Sequence, residues 1–157
     1  MVVDGEPSGY YNIYRSLLIF DTSAVSGRVT AGYIALLPKS KHGFTDADKL
    51  VVTNGQPTCP HDPFVLTDYN MNNYSGNGGE IAGSEITEFE WANIMLNEIG
   101  LSWINVGGTT KLCIRSQNDI DGIEPLLWDC PYITAYTPPR LYLTTSLVTR
   151  SFGTIIG

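Results

Sequence analysis

Residues 10–23, YYNIYRSLLIFDTS, carry the reading of the fold. Aromatic and β-branched side chains dominate the first eleven positions, and Asp21, Thr22 and Ser23 then supply a turn, which is the pattern of a β-strand. The second half of the stretch is apolar on consecutive positions rather than on alternate ones. That predicts a strand covered on both sides, or one crossing the rim of a sandwich.

The rest of the chain repeats the theme. Residues 29–37, VTAGYIALL, contain Gly32 and stop at Pro38, which favours a strand over a helix of similar composition. Residues 49–53, KLVVT, form another strand, closed by Asn54-Gly55, a dipeptide suited to a tight turn. Residues 88–96, EFEWANIML, alternate at their start, so Phe89 and Trp91 are expected to face inward and Glu88 and Glu90 outward. Residues 111–115, 132–136 and 141–148 complete the strands, with Pro138-Pro139 as a stop and residues 117–122, QNDIDG, as a polar turn. Residues 97–105, NEIGLSWIN, place Ile99 and Trp103 at helical spacing between the capping residue Asn97 and the terminator Gly107-Gly108. The expectation is an all-β antiparallel sandwich of jelly-roll type with one short helix. It occupies residues 1–146 as one domain, with a long loop over residues 56–84 and a β-prone, apolar tail over residues 147–157 that is expected to pack on a neighbouring subunit.

Composition narrows the function. Charged residues make up 16% of the chain, against about a quarter in an ordinary domain, while Gly, Thr, Ser, Asn and Tyr abound. This uncharged polar surface points to an extracellular or cell- or virion-surface location. The net charge is −7, from 9 basic and 16 acidic residues, and the basic residues are scattered, so phosphate-mediated binding to nucleic acid is not expected. No run reaches the roughly 18 apolar residues of a membrane span. Met1 to Gly9 lacks the charged start and apolar middle of a signal peptide, which places any export signal outside this sequence.

Catalytic patterns are missing. There is no G-x-S-x-G elbow, phosphate loop or dinucleotide fingerprint, and the two histidines, His42 and His61, form no H-E-x-x-H motif. Carboxylate pairs such as Asp62 with Asp68, or Glu88 with Glu90, satisfy glycosidase chemistry only formally, since sixteen acids supply many pairs and the two glutamates alternate with buried aromatics. No enzyme is expected. Cys59, Cys113 and Cys130 match no zinc spacing and read as buried apolar residues; a Cys113–Cys130 bridge between neighbouring strands is the alternative.

Binding residues concentrate in loops, and the long one is the first place to look. Tyr69, Asn70, Asn72 and Tyr74 are candidate ligand contacts, because tyrosine rings stack on sugars and amides hydrogen-bond their hydroxyls; the alternative reading is that the tyrosines fold back and anchor the loop. Asn73-Tyr74-Ser75 also matches a glycosylation acceptor. Asp62 with Asp68, and Asp119 with Asp121, offer oxygen ligands for a structural calcium ion, set against the ordinary use of Asp and Asn to cap turns. Otherwise no cofactor is expected.

Four stretches in order, RSLLIFDTS (residues 15–23), NEIGLSWINVGG (97–108), TKLCIRSQNDI (110–120) and PRLYL (139–143), resemble the DNRLRE-domain type of carbohydrate-binding-like jelly roll. The resemblance covers residues 10–145. It implies a non-catalytic module of secreted, cell-surface or phage-borne prokaryotic proteins, with no catalytic residues to carry over. Such domains begin with one or two more strands than the residues before Tyr10 supply. Two expectations follow: a structural subunit of a filament, surface layer or virion that forms homo-oligomers through its termini, or alternatively a carbohydrate-binding or adhesion module with a glycan partner.

Overall fold

The computed structural model describes residues 15–42, 44, 45, 47–123 and 132–146. Among these, nine strands all pair antiparallel and two short helices interrupt them. The strands are β1 (Ser16–Asp21), β2 (Arg28–Leu36), β3 (Pro38–His42), β4 (Lys49–Asn54), β5 (Glu80–Ala82), β6 (Ala92–Met95), β7 (Thr109–Ser116), β8 (Tyr132–Ala135) and β9 (Arg140–Ser146); the helices are α1 (Glu98–Ser102) and α2 (Gln117–Asp121). One sheet runs β1-β7-β4-β5, a second β6-β2-β9, and β3 with β8 forms a two-stranded ribbon. The ribbon continues the β2–β9 pair past Leu37, whose carbonyl accepts from Tyr136 N.

The strand period decides what each face buries. Leu18, Leu50, Val52, Leu112 and Ile114 point from the four-stranded sheet into one core with Ile34 and Leu36 of β2, Ile94 of β6 and Ile133 of β8. The intervening residues point the other way. Val51, Thr53, Cys113 and Arg115 are nonetheless buried, so this sheet is covered on both faces, as the consecutive apolar residues of β1 predict. On the outer side of β2, by contrast, Tyr33 stacks on Tyr142 with ring centroids 4.9 Å apart.

Helix α1 begins where the sequence indicates: the Asn97 side chain accepts from Gly100 N at 2.9 Å. Its Leu101 and the following Trp103 pack against the core. A second helix stands where a polar turn is expected. Ser116 caps α2 by accepting from Asp119 N, and Gly122, at φ 67°, closes it in the left-handed conformation. Pro38, expected only to stop β2, also opens β3, a position where its missing N–H costs nothing.

The alternation read over residues 88–96 starts too early. Strand β6 begins at Ala92, Phe89 sits at φ 62° in a bend, and both Phe89 and Trp91 are exposed, the latter beneath the Arg140 guanidinium. A bend breaks the period of two, so the aromatics lose the inward face. Gly55 differs in another way: it makes no left-handed turn, but a Cβ there would lie 2.2 Å from the Cys59 carbonyl oxygen. Residues 1–14, the tail over residues 147–157 and Cys130 lie outside the described residues.

Candidate functional site

The long loop between β4 and β5 folds over the outer face of the four-stranded sheet, and its ends are pinned. Asn54 and Ser75 exchange backbone hydrogen bonds at 2.9 and 3.1 Å, and Gly78 N donates to Val52 O. Asn97 donates through its side chain to Asn77 O and through its backbone to Gly78 O, tying the loop to the start of α1. Under the loop, Cys59 and Tyr74 pack on Cys113 and Leu17. Among the described residues Cys59 and Cys113 are free thiols. Burial pushes the Cys113 thiol up to about 12.

Beside this apolar patch lies a buried charge cluster. The pairing of Ser16 with Ile114, extended by one residue, sets Arg15 beside Arg115, two like charges on the same face. Asp119, in the first turn of α2, is the shared counter-ion of both. Its carboxylate accepts from Arg15 Nε at 2.8 Å and Nη2 at 2.5 Å, and from Arg115 Nε at 2.6 Å. The three side chains are only 3–5% exposed. Burial opposes ionisation of Asp119, yet the two guanidiniums together hold its carboxyl below the usual carboxylate range. The arginines also reach up into the loop: Arg15 Nη1 donates to Tyr69 O at 2.8 Å and Arg115 Nη1 to Tyr74 O at 3.3 Å. Both oxygens of Asp119, expected from the sequence as calcium ligands, accept from guanidinium donors in this structure. Its expected partner Asp121 is exposed and accepts from Gln117 Nε2.

A second buried anion organises the loop itself. Asp68 is fully buried; Oδ2 accepts from His61 N at 3.0 Å and Val65 N at 2.9 Å, and Oδ1 lies 2.6 Å from His61 Nδ1. Burial raises its pKa, but these hydrogen bonds outweigh burial and bring it down to about 2. Cys59 completes the group: its thiol, raised by burial and then by the Asp68 charge, lies with the His61 and Asp68 donor atoms so that all are within 4.8 Å of one another. Asp62, paired with Asp68 in the sequence reading, is exposed and takes no part in this group. The Tyr74 hydroxyl is buried with no hydrogen-bond partner among the described residues. Burial raises its pKa well above the ordinary tyrosine value.

Above this base the loop presents an apolar crest. Asp68 fixes the 3-10 turn Leu66–Tyr69, and Asn70 caps the next, Met71–Asn73, by accepting from Asn72 N at 3.0 Å. The turns hold Leu66 93% exposed and Phe64 59% exposed, with Val65, Tyr69 and Met71 exposed beside them. Of the candidate ligand contacts, Tyr69, Asn70 and Asn72 share this rim, and the Arg15 guanidinium covers one face of the Tyr69 ring at 4.8 Å. Tyr74 is buried and does not share this rim, because it is the loop's apolar anchor to the sheet.

Sequence reasoning missed Arg15, Arg115, Cys59 and His61. The short spacing Cys59-Pro60-His61 was the one signal available for the last two. The fold and the site together define an all-β, antiparallel protein whose distinctive surface is an anchored loop. No protein family, curated protein or solved structure matches the chain.

Proposed function

We propose that this chain is a non-catalytic structural subunit, a jelly-roll-type module of an extracellular or virion assembly, and that it docks on a neighbouring copy of itself through the crest. One observation carries the reading: five large apolar side chains, Phe64, Val65, Leu66, Tyr69 and Met71, stand exposed within eight residues on a loop fixed from below. Scattered exposed apolar residues are ordinary, but a contiguous patch marks an interaction surface. The loop is ordered beforehand, so docking loses little conformational entropy. Charge favours a second copy as the occupant. From Pro63 to Gly79 the one charged side chain is the buried Asp68, so two molecules of net charge −7 can meet there without setting like charges face to face.

Sedimentation velocity on the chain and on its Leu66→Ser variant tests this. Removing one buried leucine from a contact costs about 1.5–3 kcal/mol and the substitution removes one from each copy, so the self-association constant should fall by at least about 10- to 150-fold while the far-UV circular dichroism stays the same. A wild-type chain that stays monomeric at about millimolar concentration overturns the reading. Carbohydrate binding is the second reading, supported by the shared exposure of Tyr69, Asn70 and Asn72. A glycan-array signal from a monomer, abolished by Tyr69→Ala, decides for it.

A further inference from the structure

We infer that Cys59, His61 and Asp68 form a binding site for a divalent transition-metal ion of the zinc type, at the base of the loop.

The donor set and its spacing carry the inference. A thiol sulfur, an imidazole nitrogen and a carboxylate oxygen lie within 4.8 Å of one another. Zinc bonds of about 2.0–2.3 Å in a tetrahedron put neighbouring donors about 3.3–3.8 Å apart, so small side-chain adjustments suffice. One is at the 2.6 Å contact between His61 Nδ1 and Asp68 Oδ1, which opens by roughly 1 Å when an ion replaces the shared proton. Calcium and magnesium take oxygen ligands, whereas thiolate with imidazole selects zinc or cobalt. This separates the site from the all-oxygen calcium pairs expected from the sequence.

The surroundings are arranged as a ligand shell requires. Two backbone N–H groups hold Asp68 Oδ2, leaving Oδ1 toward His61, and Cys59 N donates to Gly55 O at 2.7 Å, fixing the backbone that carries the thiol. An independent observation points to a missing partner. The Tyr74 hydroxyl, in a residue 3% exposed that packs with Cys59, has no hydrogen-bond partner among the described residues. A buried hydroxyl left unpaired is costly, and a water on the ion's fourth position gives it one. The His61 side chain is 43% exposed, which leaves the ion a way in. On binding, the Cys59 thiol proton passes to solvent, the proton shared between His61 Nδ1 and Asp68 leaves Nδ1, and His61 binds as the neutral ring with its proton on Nε2. Thiolate and carboxylate then cancel the double positive charge, so the buried site is neutral.

Titration of the intact, metal-stripped chain with Co²⁺ tests the site. One equivalent should produce thiolate-to-cobalt charge-transfer absorption with the strong ligand-field bands of a tetrahedral ion, and Zn²⁺ should displace it. Cys59→Ser should abolish the charge-transfer band and Cys113→Ser should retain it. His61→Ala, at a partly exposed ring, should keep the far-UV circular dichroism and lose the bound ion. The inference is overturned by the absence of a charge-transfer band in the wild type, or by a band that survives in folded His61→Ala protein. These readouts do not involve self-association, so the metal site and the docking surface stand or fall separately.

Discussion

Replacing Asp119 with Asn keeps the shape of the side chain and removes its charge. The carboxylate now accepts three guanidinium N–H bonds, at 2.8 and 2.5 Å from Arg15 and 2.6 Å from Arg115, with all three side chains at most 5% exposed. Each charge-assisted bond contributes about 1.5–3 kcal/mol, but the desolvation of three ions offsets most of that sum. The cost of the substitution comes from elsewhere: two adjacent buried guanidiniums lose their common counter-ion, and an amide NH₂ turns a donor toward donors. Breaking a buried pair in this way costs about 3–5 kcal/mol. For a domain of this size that corresponds to a fall in Tm of roughly 6–20 °C. Urea unfolding followed by circular dichroism measures it directly. Asp121→Asn is the control, because Asp121 is exposed two residues further on and its loss should stay within about 0.5 kcal/mol. A loss below about 1 kcal/mol for Asp119→Asn with an unchanged m-value, or equal losses for both variants, refutes the account of the cluster.

Acid should unfold the protein in a defined window. Asp68 and Asp119 both have folded pKa values below their unfolded ones, so their stabilisation is complete above about pH 4 and is lost as pH falls, toward about 2 in the case of Asp68. The urea midpoint should decline over that interval, and a flat profile would contradict both assignments. Gly100→Ala should destabilise by about 1–3 kcal/mol, since the added Cβ would lie 2.0 Å from the Gly78 carbonyl oxygen and backbone cannot yield cheaply; an unshifted thermal transition would deny this approach of α1 to the loop. Asn97→Ala removes the α1 cap and should cost about 1 kcal/mol in the same assay, with no change meaning that the cap is dispensable.

Much of the fold is legible along the chain. The strands at β1, β2, β4, β7 and β9 announce themselves by composition and turn residues, and α1 by Asn97 and the glycines after Trp103. The Ser116 cap and Gly122 also encode α2, but its polar sequence reads equally well as a turn until its carboxylate is seen facing inward. Phe89 and Trp91 misled because alternation describes a strand only while the backbone stays extended, and a residue at φ 62° ends it. At the site, the sequence pointed to the long loop and to Asp68, but not to the anion's partners. Its hydrogen bonds come from Val65 and His61, and nothing in those residue types marks them as donors to a buried carboxylate.

The sequence by itself determined the all-β class, the place of the long loop and the helix cap, since each depends on neighbours within a few positions. Tertiary structure alone decided which loop residues are buried. Tyr74 and Leu66 are both large and apolar in part, yet one anchors the loop and the other stands in solvent, because only the register of β4 and β7 beneath them fixes where the sheet needs cover. The Arg15–Asp119 pair, 104 residues apart, exists for the same reason: antiparallel pairing of β1 with β7 brings two arginines together, and burial of that pair requires a shared anion.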